Sequence, residues 1–252
     1  MSGSASEGAP PSLAVEHLTK RYGGVQALDD VSVSVAPGQC LALVGESGSG
    51  KTTLLRCINR LVDADRGRVL VGGRDVRESD VVVLRRATGY VPQEGGLLPH
   101  WRVARNVALV PWLNGARDAG ERAEHALTLV GLDPEVVRDR WPAELSGGQR
   151  QRVAVARALA GGQRLLLLDE PFGALDAITR HDLQEMLLSL RARGDVTIVM
   201  VTHDVSEALR LADEVLVLRR GHMEQSASPV HLRESPATPY VTELLLRSGV
   251  GT

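Results

Sequence analysis

Eight consecutive residues, Gly45-Glu46-Ser47-Gly48-Ser49-Gly50-Lys51-Thr52, match the pattern GxxxxGK[ST]. They follow a continuous apolar run, Cys40 to Val44, and precede a helical pattern with Leu54, Leu55, Ile58 and Leu61 on one face. In that setting the glycines let backbone N–H groups wrap a chain of phosphates, and the positive end of the helix dipole faces them. Lys51 offers a compact charge for the β- and γ-phosphates. The Thr52 hydroxyl, with Thr53 next to it in the same turn, is placed for Mg²⁺. Of 29 basic residues only Lys20 and Lys51 are Lys, so a Lys kept here points to chemistry that a planar guanidinium does not do.

A second buried run, Leu165 to Leu168, ends in Asp169-Glu170. Taken alone, this is either an ordinary strand end or a pair in which Asp169 holds a metal, through water, and Glu170 polarises an attacking water as general base. Next to a phosphate loop the second reading gains force. Leu145-Ser146-Gly147-Gly148-Gln149 opens another helix. It reads either as a plain N-cap or as a second anion site built from a Ser hydroxyl and Gly amides.

The elements that must position these residues read as an α/β fold. Leu13 to Leu18 predicts an edge strand, Val31 to Val35 a half-buried strand, and Gly67 to Val71 a strand turning at Gly72-Gly73. Val196 to Val201 and Val215 to Arg219 predict further strands, with helices over about 179–193 and 238–246. Between about 94 and 160 helical patterns dominate, clearest at Glu121 to Val130 and Arg150 to Leu159. Buried strands alternating with helices imply a mainly parallel sheet.

The 252 residues, 43% apolar and 24% charged, provide for one large domain or two small ones and exclude wholesale disorder. A net charge of −2 does not suit a strongly basic nucleic-acid binder. Two cysteines, Cys40 and Cys57, suggest no disulfide framework and a reducing compartment. No apolar run approaches the roughly 20 residues that cross a bilayer. Met1 to Pro11 lacks the basic and apolar regions of a secretory signal, and residues 1–12 are expected to be a disordered lead-in.

The succession of P-loop, Leu145 to Gln149, Leu165 to Glu170 and a His after a buried strand resembles the ATP-binding-cassette ATPases over about Leu13 to Glu224. The resemblance implies a P-loop NTPase (RecA-like) core with an antiparallel β edge region. A helical signature subdomain, about 94–160, is inserted within a domain of residues 13–230, and 231–252 form a short extension. It implies ATP and Mg²⁺ as ligands. It makes Tyr22 the aromatic stacked on adenine, Gln93 the Q-loop glutamine that reaches Mg²⁺ and water, Asp176 the D-loop aspartate, and His203 the switch histidine on the γ-phosphate. It also implies a head-to-tail dimer in which Ser146, Gly147, Gly148 and Gln149 face the nucleotide of a second copy.

Cys57-Ile58-Asn59-Arg60-Leu61, Gly96-Leu97-Leu98-Pro99-His100, Asn106 to Pro111, and Asp176-Ala177-Ile178-Thr179-Arg180 are similar to ATPases of osmoprotectant importers for glycine betaine, choline or carnitine. The first and last could also be ordinary helix sequence. Departures are Ala177, where many relatives have Pro, and Glu94, where Gln is common. Some relatives add C-terminal regulatory domains, and regulation of that kind is not expected for this chain. The resemblance implies permease partners, indirectly a substrate-binding protein, no nucleic acid, and a place at the cytoplasmic face of the inner membrane. Leu97, Leu98, Pro99 and Trp101 either line a groove for the permease or pack the helical subdomain. The competing readings are a polar amino acid or methionine importer and a non-transport switch ATPase.

Overall fold

The computed structural model describes residues 9–173 and 175–249. The expected lead-in therefore lies mostly outside the described residues. Its end is tied down, because the Pro11 carbonyl accepts from the Thr197 hydroxyl at 2.7 Å and the Ser12 carbonyl from the Gly72 N–H at 2.8 Å.

The chain opens with two long antiparallel strands, β1 (Leu13–Tyr22) and β2 (Val25–Val35), then β3 (Cys40–Val44) and helix α1 (Lys51–Ile58). β4 (Arg66–Val71) and β5 (Arg74–Asp75) return to the first pair, giving a four-stranded antiparallel sheet ordered β2-β1-β4-β5. The expected edge strand at Leu13 to Leu18 is thus an interior one: Val15 pairs with Val33 on one side and Val69 on the other. Leu61, expected on the buried face of the helix after the loop, lies outside α1. The helical period runs on past Ile58, but Arg60 adopts φ +52° and Leu61 N–H returns to the Arg56 carbonyl at 2.9 Å. That turn closes the helix and leaves Leu61 exposed.

Helix α2 (Val81–Ala87) leads to β6 (Thr88–Val91). The helical subdomain follows as α3 (Val103–Val107), α4 (Leu109–Leu113), α5 (Ala119–Leu129), α6 (Pro134–Val137) and α7 (Gly147–Leu159). The core resumes with β7 (Leu165–Asp169), α8 (Ala177–Ala192), β8 (Thr197–Val201), α9 (Val205–Leu211), β9 (Glu214–Arg219) and β10 (His222–Ala227). Two short helices, α10 (Pro229–Glu234) and α11 (Pro239–Arg247), close the described chain. Neither α2 nor α9 nor β10 is among the elements expected from the sequence.

The second sheet is ordered β10-β9-β3-β8-β7-β6 and is parallel except for the β9–β10 pair. β3, β7 and β8 are buried at every residue, as expected for parallel strands covered on both faces. Along β3, Cys40, Ala42 and Val44 join one apolar cluster with α3, α5 and α7, while Leu41 and Leu43 join another with α1 and the antiparallel sheet. The strand order brings the carboxyl ends of β6, β7, β8 and β3 to one edge, where ligands of open α/β sheets collect.

Candidate functional site

The loop between β3 and α1 is shaped by close backbone approaches. A Cβ at Gly45 would lie 2.0 Å from the Leu218 carbonyl oxygen, and one at Gly50 2.4 Å from that of Ala27. Both residues have positive φ, so only glycine fits. Gly50 is the N-cap of α1 and no side chain caps the helix, so its first N–H groups are left without a side-chain partner. Lys51 is buried, and its Nζ donates to the carbonyls of Gly45 (2.8 Å) and Glu46 (2.7 Å) and to the Ser49 hydroxyl (3.4 Å). Burial lowers its pKa, with nearby Glu170, Asp169 and Glu46 opposing. Phosphate oxygens can take the place of the acceptors that now hold the ammonium.

Thr52 Oγ1 donates to Asp169 Oδ1 at 3.0 Å across the β3 and β7 edges. Burial raises the Asp169 pKa, and the Thr52 hydrogen bond offsets part of that. The two side chains are hard oxygen donors of the kind Mg²⁺ takes. Among the described residues no group of three or more His, Cys, Asp or Glu could hold a metal by itself. An ion here would share its shell with phosphate oxygens and water, the usual manner of Mg²⁺.

Glu170 follows Asp169 with φ +49°, a costly conformation for a side-chain-bearing residue. Its N–H is bonded to the Val201 carbonyl at 3.0 Å. Its carboxylate is the meeting point of the site: Gln93 Nε2 donates to Oε2 at 3.1 Å, and His203 Nδ1 lies 3.6 Å from the same oxygen. Gln93, Glu170 and His203 follow β6, β7 and β8, three adjacent strands. Together with Gly147 and Arg150 they line a cleft of about 620 Å³.

Ser146 caps α7 in a reciprocal box: its hydroxyl accepts from Gln149 N–H at 3.2 Å, and Gln149 Oε1 accepts from Ser146 N–H at 3.1 Å. The hydroxyl proton remains free to donate. Among the described residues no hydrogen bond or ion pair joins 146–149 to 45–53 of the same chain. Asp176 caps α8, and its carboxyl pKa is lowered first by the Thr179 hydroxyl. Tyr22 ends β1, half exposed, with Lys20 Nζ 5.5 Å from its ring centre.

Of the segment after Gln93, Leu97 packs against the subdomain core, while Trp101 borders a cavity of about 240 Å³ with Trp112 and Leu109. Asn106 is fully buried and ties this loop together, bonding Leu98 N–H at 2.8 Å and the carbonyls of Leu98 and Trp101 at 3.0 and 2.9 Å. Two contacts at the site escape sequence reasoning: Tyr240 on the P-loop and Thr179 against Gly148. No local pattern marks either.

Residues 28–173 match the family described as ABC transporter. The glycine betaine/carnitine/choline transport ATP-binding protein OpuCA of Bacillus subtilis is 44% identical over 238 residues, covering 92% of this chain. The sulfate/thiosulfate import ATP-binding protein CysA of Ralstonia nicotianae is 46% identical over 234 residues, covering 91% of this chain. This chain spans 62% of the length of each. A solved dimer of the ATP-binding cassette MJ0796, in a post-hydrolysis state bound to ADP and Pi, superimposes with a TM-score of 0.77 at 30% identity, over 86% of this chain and 98% of that one.

Proposed function

The chain belongs to the ABC transporter family, and from that premise we propose that it binds and hydrolyses ATP as the ATPase subunit of an importer. The observation that carries this reading is the convergence of Gln93 and His203 on one oxygen of Glu170, beside the Thr52–Asp169 pair. P-loop amides and Lys51 hold the phosphates, and Tyr22 covers the adenine. Glu170 takes the proton of the attacking water, oriented by Gln93, while His203 donates toward the γ-phosphate. Mg²⁺ bound by Thr52, Asp169 and Gln93 would supply positive charge at the β- and γ-phosphate oxygens.

The active unit we infer is a head-to-tail pair of this chain, with Ser146 to Gln149 and Asp176 of one copy facing the P-loop of the other. The dimeric state of the MJ0796 cassette supports this. The pair would sit at the cytoplasmic face of the membrane, bound to a separate permease served by a substrate-binding protein. Among the described residues no helix is long and apolar enough to cross a membrane.

The transported solute we propose is a quaternary amine osmoprotectant such as glycine betaine, carnitine or choline. Support comes from the similarity to OpuCA and from the segments 57–61, 96–100, 106–111 and 176–180. Reconstitution with permease and binding protein in liposomes tests it. A liganded binding protein speeds hydrolysis only by favouring the closed ATPase pair, so glycine betaine, choline or carnitine should raise the ATPase rate. Stimulation by sulfate, methionine or histidine alone would overturn the solute and leave the hydrolytic mechanism standing.

A further inference from the structure

The last helix of the described chain reaches back to the P-loop. Tyr240, in the first turn of α11, is buried, and its hydroxyl accepts a hydrogen bond from Glu46 N–H at 3.2 Å. The carbonyl of that same peptide unit, on Gly45, accepts from Lys51 Nζ at 2.8 Å. In a trans peptide the N–H and C=O point in opposite directions. The Gly45–Glu46 unit therefore bridges two side chains, Tyr240 on one side and Lys51 on the other.

Tyr240 is itself held. The Arg219 guanidinium lies 4.5 Å from its ring centre, Arg219 is 3.9 Å from the Glu224 carboxylate, and Glu224 accepts from the Thr238 hydroxyl at 2.8 Å. Burial pushes the phenol pKa up, so the hydroxyl stays neutral. A second brace comes from the turn after β9, where Gly221 N–H donates to the Ser49 carbonyl at 3.0 Å. The phosphate loop is thus held at Glu46 and at Ser49 by segments that lie near the end of the chain.

We propose that Tyr240 is a positioning residue of the nucleotide site, its hydroxyl fixing the Gly45–Glu46 peptide and through it the resting place of Lys51. The inference rests on the ATP-binding reading above. Without the hydroxyl, the Glu46 N–H loses its partner and the peptide unit is free to turn. The loop must then be ordered when the nucleotide arrives, which costs affinity. Chemistry is spared, because Gln93, Glu170 and His203 follow other strands, β6, β7 and β8.

The test uses the full chain with Tyr240→Phe, which keeps the ring under Arg219 and removes only the hydroxyl. ATP affinity by equilibrium titration, together with KM for Mg-ATP, should weaken about 3- to 10-fold, the scale of one hydrogen bond. The kcat should stay within about two-fold. Val241→Ala is the comparison: Val241 is fully buried in the core beside Tyr240. That variant should melt earlier while its KM stays within about two-fold of the parent. Unchanged affinity in Tyr240→Phe, or an equal KM rise in Val241→Ala, would show that Tyr240 merely packs α11. A parent chain that binds no ATP would remove the nucleotide reading itself, and this inference with it.

Discussion

The γ-methyl of Thr179 stands where a side chain on Gly148 would be: a Cβ there would lie 1.9 Å from Thr179 Cγ2. The same Thr179 donates its hydroxyl to Asp176 Oδ2 at 2.7 Å and its N–H to Oδ1 at 3.0 Å. One residue of α8 thus joins the start of α7 to the Asp176 loop, so that the two segments proposed to face a partner's nucleotide form a single edge. Gly148→Ala should cost about 1–3 kcal/mol of stability through overpacking and lower the ATPase rate. Adding Thr179→Ser removes the methyl and keeps the hydroxyl, and should restore most of both in melting and rate measurements. A double variant no better than Gly148→Ala would place the damage elsewhere.

Glu170→Gln should abolish steady-state hydrolysis while ATP still binds, because Lys51, Thr52 and Asp169 are untouched. The lost transition-state stabilisation should exceed about 2 kcal/mol, as for other single catalytic groups. The variant should elute from gel filtration as an ATP-dependent dimer. A monomer at saturating Mg-ATP would count against the sandwich arrangement.

Lys51→Arg should impair ATP binding nearly as much as Lys51→Ala. The ammonium sits among three oxygens within 3.4 Å, inside a loop that Gly45 and Gly50 hold close against the Leu218 and Ala27 carbonyls. A forked planar guanidinium does not fit that cradle. Isothermal titration with ATP decides it, and parental affinity in Lys51→Arg would refute the steric account.

Ser146→Arg should act on the partner's site. Mixed with Lys51→Ala, it should form dimers with one intact composite site, combining the P-loop of the Ser146→Arg chain with the Ser146 of the Lys51→Ala chain. ATP-driven dimerisation, absent from each parent, should partly return in the mixture. No recovery at any mixing ratio would mean that Ser146 serves its own chain.

Asp169→Asn should separate stability from activity. Burial raises the Asp169 pKa, so the folded state binds that proton more tightly than the unfolded chain does. Its carboxylate therefore lowers stability above the folded pKa, and the penalty fades as pH falls through it. Asn keeps an acceptor for Thr52 without the charge. In nucleotide-free melts the variant should outlast the parent at neutral pH, with the gap shrinking in acid, while its Mg-ATPase rate falls. A variant less stable than the parent at neutral pH would contradict the burial argument.

What the sequence by itself determines is the contiguous part of the site. Gly45 to Thr52 and Asp169-Glu170 are legible because their constraints are local: positive φ at the loop glycines, an uncapped helix start, and a fully buried strand ending in carboxylates. The burial of β3, β7 and β8 likewise shows as unbroken apolar runs. The pairing of β1 does not show, because side-chain alternation reports which face of a strand is covered and says nothing of which edges are hydrogen-bonded. For Leu61 the apolar period runs on, and only the left-handed turn at Arg60 takes it out of the helix.

Only the tertiary structure decides how the pieces meet. Gln93 and Glu170 are 77 residues apart and touch because β6 and β7 are neighbours in the sheet. Tyr240 and Glu46 are 194 residues apart and meet because α11 folds back over the β9–β10 hairpin. Contacts of that span are set by how strands order and helices pack once the whole apolar core closes, a global balance that no short stretch of sequence carries.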